Sequence, residues 1–286
     1  MSKINSVDAL RTQFKNLRRL YFLFLILAVL ALVMYFVEPR LTLVLLGASL
    51  ILNLVLGRKK SKEYTNNFTH LSAQLTLQRH LEDAQHSHTP VLTEEAVRAA
   101  RVLPCNTASG GVICHEGGTG LYRGRKVTLG DTTLAHTFTV VNKKRHNFTV
   151  GCWVTVELEK DTGLDCRFIG ENTTPDQSLK EMLWVESDLK QTDIPMVLKS
   201  NWRVVCAEEN QTMPNDAFLK QLEKLHKKTE GRLAVSVQGS KLHILLIGEI
   251  LAQKVSSRMA PGPQFENADL LPHLSYALLL SDSLAK

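Results

Sequence analysis

The chain is poor in cysteine, and its few cysteines do not form a recognisable framework. They are scattered and odd in number: Cys105, Cys114, Cys152, Cys166 and Cys206. A secreted disulfide scaffold usually has an even set of cysteines in a shorter chain. The pattern therefore favours reduced, mostly buried thiols and a cytosolic setting for the folded part of the protein.

Most of the chain also lacks an excess of positive charge. The net charge of the 286 residues is +6, but residues 1–62 contain ten Lys and Arg against two acidic residues. The other 224 residues contain 24 basic and 26 acidic side chains and carry a net charge of −2. Nucleic-acid binding needs a basic face that displaces counterions from phosphates. We therefore expect no nucleic acid among the partners.

Two long apolar runs lie inside the basic N-terminal part. Residues 20–37 contain no charge, and residues 41–57 follow after Glu38, Pro39 and Arg40. As helices, each run would span roughly 25–27 Å, close to the thickness of the bilayer hydrocarbon core. Neither run has the polar stripe of a soluble helix. The sequence predicts a transmembrane helical hairpin over residues 20–57; a buried hairpin and a signal peptide are the alternatives.

The charges that flank the two runs predict their orientation. Basic residues precede the first run and follow the second, whereas the turn has one Arg and one Glu: Arg11, Lys15, Arg18, Arg19, Arg58, Lys59, Lys60 and Lys62. Positive charge is retained on the cytoplasmic side of a membrane. Both termini are therefore predicted to be cytoplasmic.

The remaining sequence predicts an α+β fold with a mostly antiparallel sheet and packed helices. Helical patterns cover residues 62–85, 93–103, 214–228 and 270–284. From about residue 110 the side-chain pattern repeats with a period of two and predicts a β-meander that ends near residue 170. A hairpin is predicted over residues 233–247. The predicted parts are a basic cytoplasmic segment (1–19), the hairpin (20–57), juxtamembrane helices (58–104), the α+β cytoplasmic domain (105–260) and a C-terminal amphipathic helix (264–286).

No motif in the sequence indicates catalysis, a cofactor or a metal. Gly-x-Ser-x-Gly and Gly-Lys-Ser/Thr are absent. Cys105 with Cys114-His115-Glu116, and the pair His86-x-His88, lack the second close ligand pair of structural zinc sites. The glycines between Gly117 and Gly120 are interpreted as a turn. The sequence thus predicts no catalytic residue, no cofactor and no metal ligand.

Two basic clusters fall in predicted turns of the sheet. They are Arg123, Arg125 and Lys126, and Lys143, Lys144 and Arg145. Near an anionic leaflet each such charge contributes about 1 kcal/mol to head-group binding. Lipid head-group contact is one interpretation of these clusters, and simple solvation of charged turns is the other.

Several segments resemble one known family. They are the strands at 135–141 and 148–157, WVESD at 184–188, WRVVCAEEN at 202–210, GRLAVSVQGSKLHILL at 231–246 and the Leu-rich tail. Together they resemble the uncharacterised bacterial membrane-protein family DUF3137 (a domain of unknown function), whose members carry two transmembrane helices and an α+β cytoplasmic domain. Cys206 departs from the serine usual in that family. The resemblance implies a bacterial inner (plasma) membrane location and no established chemistry.

These observations favour a membrane-tethered, non-catalytic interaction or scaffold module. Its expected partners are the lipid bilayer with its anionic head groups, or a partner membrane protein. The alternative hypothesis is an enzyme that acts on a membrane-proximal substrate. Such an enzyme would need a site formed only in three dimensions, gathering His115, Glu116, His136 or Cys152.

Overall fold

The computed structural model describes most of the chain, and it has the α+β fold that the sequence predicts. It describes residues 6–103, 111–140, 143–173, 190–208, 212–253, 255–262, 265 and 267–284, with the backbone alone for 136–140, 143–147 and 191. The helices of this part are α1 (Val7–Tyr35), α2 (Pro39–Leu52), α3 (Arg58–His80), α4 (Glu94–Ala99), α5 (Asp216–Thr229) and α6 (Leu274–Leu284). A π-helical turn, Asn53–Gly57, connects α2 to α3.

The chain divides into two compact units. The first comprises Met1–Leu75 with Gln253–Ala268, and the second comprises Thr76–Ala252 with Asp269–Lys286. The first unit holds the N-terminal helices, and we call it the N-terminal unit. The second holds the sheet, and we call it the sheet unit.

In the N-terminal unit, α1 and α2 are the two apolar helices that the sequence predicts. The Ser6 side chain accepts a hydrogen bond from the Ala9 amide and starts α1. Pro39 occupies the first turn of α2, where its missing N–H leaves no bond unmade. By length and composition, the helical stretches Val7–Tyr35 and Pro39–His80 could each cross a membrane. Most of the large apolar side chains on them are exposed.

The basic start of α1 does not form a separate segment, because α1 runs without interruption from Val7 into the apolar run. Its buried residues Leu10 and Leu17 belong to one apolar cluster with Tyr64, Phe68 and Phe265. The Tyr64 hydroxyl donates a hydrogen bond to the Met259 carbonyl at 2.5 Å. This end of the unit thus has a small core of its own.

Within the described residues, the second unit is built around an antiparallel sheet of nine strands. The strands are β1 (Glu82–Ser87), β2 (Val112–Tyr122), β3 (Arg125–Val140), β4 (Lys143–Glu157), β5 (Asp165–Gly170), β6 (Lys190–Gln191), β7 (Trp202–Cys206), β8 (Leu233–Gln238) and β9 (Lys241–Ile247). Their order is β1-β2-β3-β4-β9-β8-β5-β7-β6, and all the pairs are antiparallel. The meander is confirmed from β2 to β4. It is wrong for β5, which pairs with β7 and β8 because the β8–β9 hairpin lies between β4 and β5.

Two local predictions are corrected near the edge of the sheet. The helix predicted to end at residue 85 ends at His80, and β1 follows it. The glycines Gly117, Gly118 and Gly120 lie inside β2 rather than in a turn. A Cβ atom on Gly117 would collide with the Leu129 carbonyl, and one on Gly118 with the Leu77 side chain. These glycines therefore permit close packing.

The later elements follow the predicted pattern closely. The Asn215 side chain accepts a hydrogen bond from the Phe218 amide at the start of α5. Glu230 is the left-handed C-cap of this helix, and Gly231, with φ 73°, follows it. The helices α5 and α6 pack on each other. Leu274 and Leu278 of α6 are fully buried, so the C-terminal helix docks within its own chain.

Candidate functional site

Two histidines and a glutamate meet at the outer edge of the sheet. His86 lies near the end of the edge strand β1, and His88 follows one residue after that strand. Glu116 lies in the neighbouring strand β2. Its Oε2 atom is 3.4 Å from His86 Nε2 and 3.1 Å from His88 Nδ1. We call these three side chains the edge cluster.

The pairing of β1 with β2 brings the edge cluster together. His86 is opposite Gly118 and Ser87 is opposite Gly117, so the neighbouring Glu116 lies level with His88. The register between β2 and β3 shifts between Cys114 and Gly117. Shifts of this kind bend a strand and re-aim its side chains. Glu116 lies within this shift.

The edge cluster is buried on one side and open on the other. The His86 side chain has no exposed surface, whereas Glu116 is 30% exposed and His88 is 45% exposed. The imidazole rings of the two histidines are 5.3 Å apart and meet edge to face. Solvent and small solutes can therefore reach the cluster from the side of His88.

Electrostatics favours an ionised carboxylate at Glu116. Partial burial alone would raise the pKa of Glu116, but hydrogen bonds from His86 and His88 outweigh it and lower the pKa. The cluster thus presents an anionic oxygen beside two imidazole nitrogens. This donor set matches the ligands that divalent transition metals take in proteins.

Other carboxylates of this unit have internal structural partners. Asp131 accepts hydrogen bonds from the backbone amides of Leu251 and Ala252 at 2.7 and 2.8 Å. Burial nevertheless raises the pKa of Asp131. Glu249 contacts His273 at 2.5 Å. These two groups hold loops against the sheet.

The described residues among the four that the enzyme hypothesis would gather have separate surroundings. Glu116 belongs to the edge cluster, while the His115 ring lies 3.1 Å from the Thr133 hydroxyl. Cys152 is fully buried, and burial raises the pKa of its thiol well above the ordinary value. The side chain of His136 lies outside the described residues. A cavity of about 370 Å³ near the start of α5 contains none of the four.

The described cysteines form no disulfide bond with one another. Cys152, Cys166 and Cys206 are buried and Cys114 is half-buried, while Cys105 lies outside the described residues. Cys166 and Cys206 are directly opposite each other on β5 and β7. Their sulfur atoms are 2.9 Å apart.

The two basic clusters lie at opposite ends of β3. Arg123 is in the β2–β3 turn, and Lys143, Lys144 and Arg145 are at the start of β4. A strand of 16 residues is about 50 Å long, so the two clusters do not share one end of the sheet. The side chains of Lys143, Lys144 and Arg145 lie outside the described residues.

The arginines of the β2–β3 turn have acidic partners. Arg123 and Arg125 both contact Asp282 at 2.8 Å. Arg125 is nearly buried and also contacts Glu159 at 3.3 Å. Lys126 is exposed and lies 3.5 Å from Glu157. Contact of these residues with lipid stays a prediction, and Arg125 has an internal role in addition.

Comparison with protein-family models, characterised proteins and solved structures finds no match to this chain. The resemblance to the family DUF3137 therefore stays a prediction.

Proposed function

We propose that this protein is a membrane-tethered, non-catalytic interaction or scaffold module of the bacterial inner membrane. In this proposal α1 and α2 cross the bilayer as a hairpin, and both termini are cytoplasmic. The observation that carries it is the uncovered apolar surface of the two helices. Exposed leucine, valine and phenylalanine side chains continue along both, and water is a poor solvent for such a surface.

The distribution of charge supports the orientation. Basic residues cluster before the apolar part of α1 and at the start of α3, and the turn between α1 and α2 is nearly neutral. Positive side chains resist transfer across the membrane, which favours retention of both basic flanks in the cytoplasm. The near-neutral sheet unit then binds a membrane protein or the lipid surface rather than a polyanion.

Reporter fusions test this topology in the full chain. Fusions after Lys62 and after Lys286 should read cytoplasmic, and a fusion within the turn at Glu38 should read external. Mass spectrometry of the extracted protein should find α1 still attached. A cleaved α1, or an external reporter after Lys286, would contradict the proposal.

The alternative function is an enzyme that acts on a membrane-proximal substrate. The observation that favours it is the edge cluster, because it places an ionised carboxylate beside two imidazoles at a solvent-accessible edge. Membrane topology is the same under both hypotheses. Loss of cellular function in a Glu116→Gln variant that keeps its partners would favour the enzyme.

A further inference from the structure

We infer that the edge cluster of His86, His88 and Glu116 is a binding site for a divalent transition-metal cation of the zinc class. This inference goes beyond the proposed function and does not depend on the membrane topology. It depends on four features of the cluster: its distances, its donor atoms, its exposure and its backbone support.

The two distances from the Glu116 carboxylate to the histidine nitrogens suit a tetrahedral metal. Glu116 Oε2 lies 3.4 Å from His86 Nε2 and 3.1 Å from His88 Nδ1. Zinc binds nitrogen and oxygen at about 2.0–2.1 Å, so two ligands at a tetrahedral angle are about 3.3–3.4 Å apart. The metal would replace the protons that the Glu116 carboxylate shares with the two imidazoles.

The chemistry of the donor atoms selects the class of cation. Two imidazoles and one carboxylate favour zinc, cobalt, nickel or copper, whereas magnesium and calcium prefer sites made only of oxygen. The carboxylate also supplies a negative charge that offsets part of the charge of the cation. Three ligands on the chain leave a fourth position, as in metal sites that bind water or substrate.

Exposure gives the metal a route into the site. The buried ring of His86 forms the floor of the cluster, and the half-exposed ring of His88 lies at its mouth. An open position at the side of His88 would be filled by solvent or by an external ligand. Without a metal, the same side chains form an ionic bridge between β1 and β2. Titration with Zn²⁺ distinguishes a metal site from this bridge.

Backbone pairing fixes the ligands in advance. His86 is held in β1 by its pairing opposite Gly118, and Glu116 directly precedes Gly117, which pairs with Ser87 on one side and Gly130 on the other. Ligands on paired strands lose little freedom when a metal binds, in contrast to ligands on loops. Beside His88, the Ser87 hydroxyl lies 2.9 Å from the Thr89 hydroxyl and accepts from the Thr89 amide.

Metal titration of the full-length protein in detergent tests the inference. The protein carries an affinity tag without histidine, is stripped with EDTA and is then titrated with Zn²⁺, with Mg²⁺ and Ca²⁺ as comparison ions. We expect one Zn²⁺ per chain at this site. The affinity should fall more than about tenfold in each of His86→Ala, His88→Ala and Glu116→Gln.

His115→Ala is the matched control, because His115 is adjacent to Glu116 but lies beside Thr133 instead. Its Zn²⁺ affinity should equal that of the unaltered protein. Equal affinity in the unaltered protein and in a His86→Ala, Glu116→Gln double variant would overturn the inference. Circular dichroism in EDTA checks that every variant is folded.

Cobalt gives a second readout that needs no variant. Co²⁺ in a four-coordinate site with two imidazoles absorbs strongly in the visible range, and azide at an open position shifts the spectrum. A weak spectrum typical of six oxygen ligands would overturn the assigned donor set. A strong spectrum that azide leaves unchanged would overturn the open fourth position.

Discussion

Leucine-rich helices occur near both ends of the chain, and their leucines have opposite environments. In α6, Leu274 and Leu278 have no exposed surface. In α1 and α2, Leu32 is 65% exposed and Leu43 is 74% exposed. Similar side chains are therefore covered by the protein in one region and left uncovered in the other.

The helices α6 and α1 also differ in length. The 11 residues of α6 extend about 16 Å, which is too short to span a bilayer. The 29 residues of α1 extend about 44 Å, which is long enough to span the hydrocarbon core and both interfaces. Apolar composition alone does not separate a docked helix from a membrane span. Length together with exposure distinguishes α1 from α6 and supports the proposed membrane span.

The largest effect is expected from shortening the buried leucines of α6. Each Leu→Ala change at a buried site lowers the free energy of unfolding by about 2–5 kcal/mol. The Leu274→Ala, Leu278→Ala double variant should therefore lose several kcal/mol in the sheet unit. Denaturation in detergent, followed by the fluorescence of Trp153 and Trp202, measures the loss.

The control applies the same change to the exposed leucines. Leu32→Ala with Leu43→Ala should change the free energy of unfolding of the sheet unit by less than about 0.5 kcal/mol. An equal loss in the two double variants would remove the distinction between the regions. A loss that depends on protein concentration would instead make α6 a contact between subunits.

A smaller effect is expected at Glu223 of α5, the helix on which α6 packs. Glu223 accepts hydrogen bonds from the Ser200 hydroxyl at 2.6 Å and from Trp202 Nε1 at 3.2 Å. Hydrogen bonds to a charged group contribute about 1.5–3 kcal/mol, so Glu223→Gln should lower the free energy of unfolding by about 2 kcal/mol. Glu95→Gln, at an exposed position of α4, is the control.

The pH dependence of stability identifies the Glu223 contribution. Burial would raise the pKa of Glu223, but hydrogen bonds from Ser200, Trp202 and two backbone amides outweigh it, and the pKa is lowered. A carboxylate with a lowered pKa in the folded state stabilises the fold above its unfolded-state pKa. The stabilisation is lost as the pH falls through the folded-state value. The difference between Glu223→Gln and the unaltered protein should therefore shrink in acid; a constant difference would contradict this.

Local signals in the sequence predict the second half of the sheet unit well. Asn215 caps α5, Gly231 follows its end, and Gly239 with Ser240 turns the chain between β8 and β9. Each signal acts over a few residues. The position of β5 in the sheet depends instead on which distant strands lie beside it. An alternation of apolar and polar residues predicts a strand but does not specify its neighbours.

The edge cluster could not be predicted for a related reason. His86 and His88 are visible as a pair in the sequence, but Glu116 is 28 residues from His88. The pairing of β1 with β2 joins them, and β1 has the sequence Glu-Asp-Ala-Gln-His-Ser. It contains no β-branched or aromatic residue, so its composition does not predict a strand. Without that strand, two histidines alone do not indicate a site.

The smallest effect is expected at Asp282, which fixes the C-terminal end of α6. Its carboxylate contacts Arg125 and accepts a hydrogen bond from the Tyr122 hydroxyl at 3.0 Å. Asp282→Asn should lower the free energy of unfolding by about 1 kcal/mol, because Arg125 keeps its contact with Glu159. If a bilayer covers the exposed helices α1 and α2, they need no such contact with the rest of the protein.

Titration of Tyr122 reports on this contact directly. Burial raises the pKa of Tyr122, and the hydrogen bond to Asp282 and its charge raise it further. In Asp282→Asn the negative charge is absent while Arg123 and Arg125 remain, so the pKa of Tyr122 should fall towards the ordinary value. Ultraviolet absorbance against pH, with Tyr122→Phe subtracted to isolate this residue, measures the change. Asp216→Asn, in the first turn of α5, should leave the titration unaltered. An unchanged Tyr122 titration in Asp282→Asn would show that the carboxylate does not hold the end of α6 against β2.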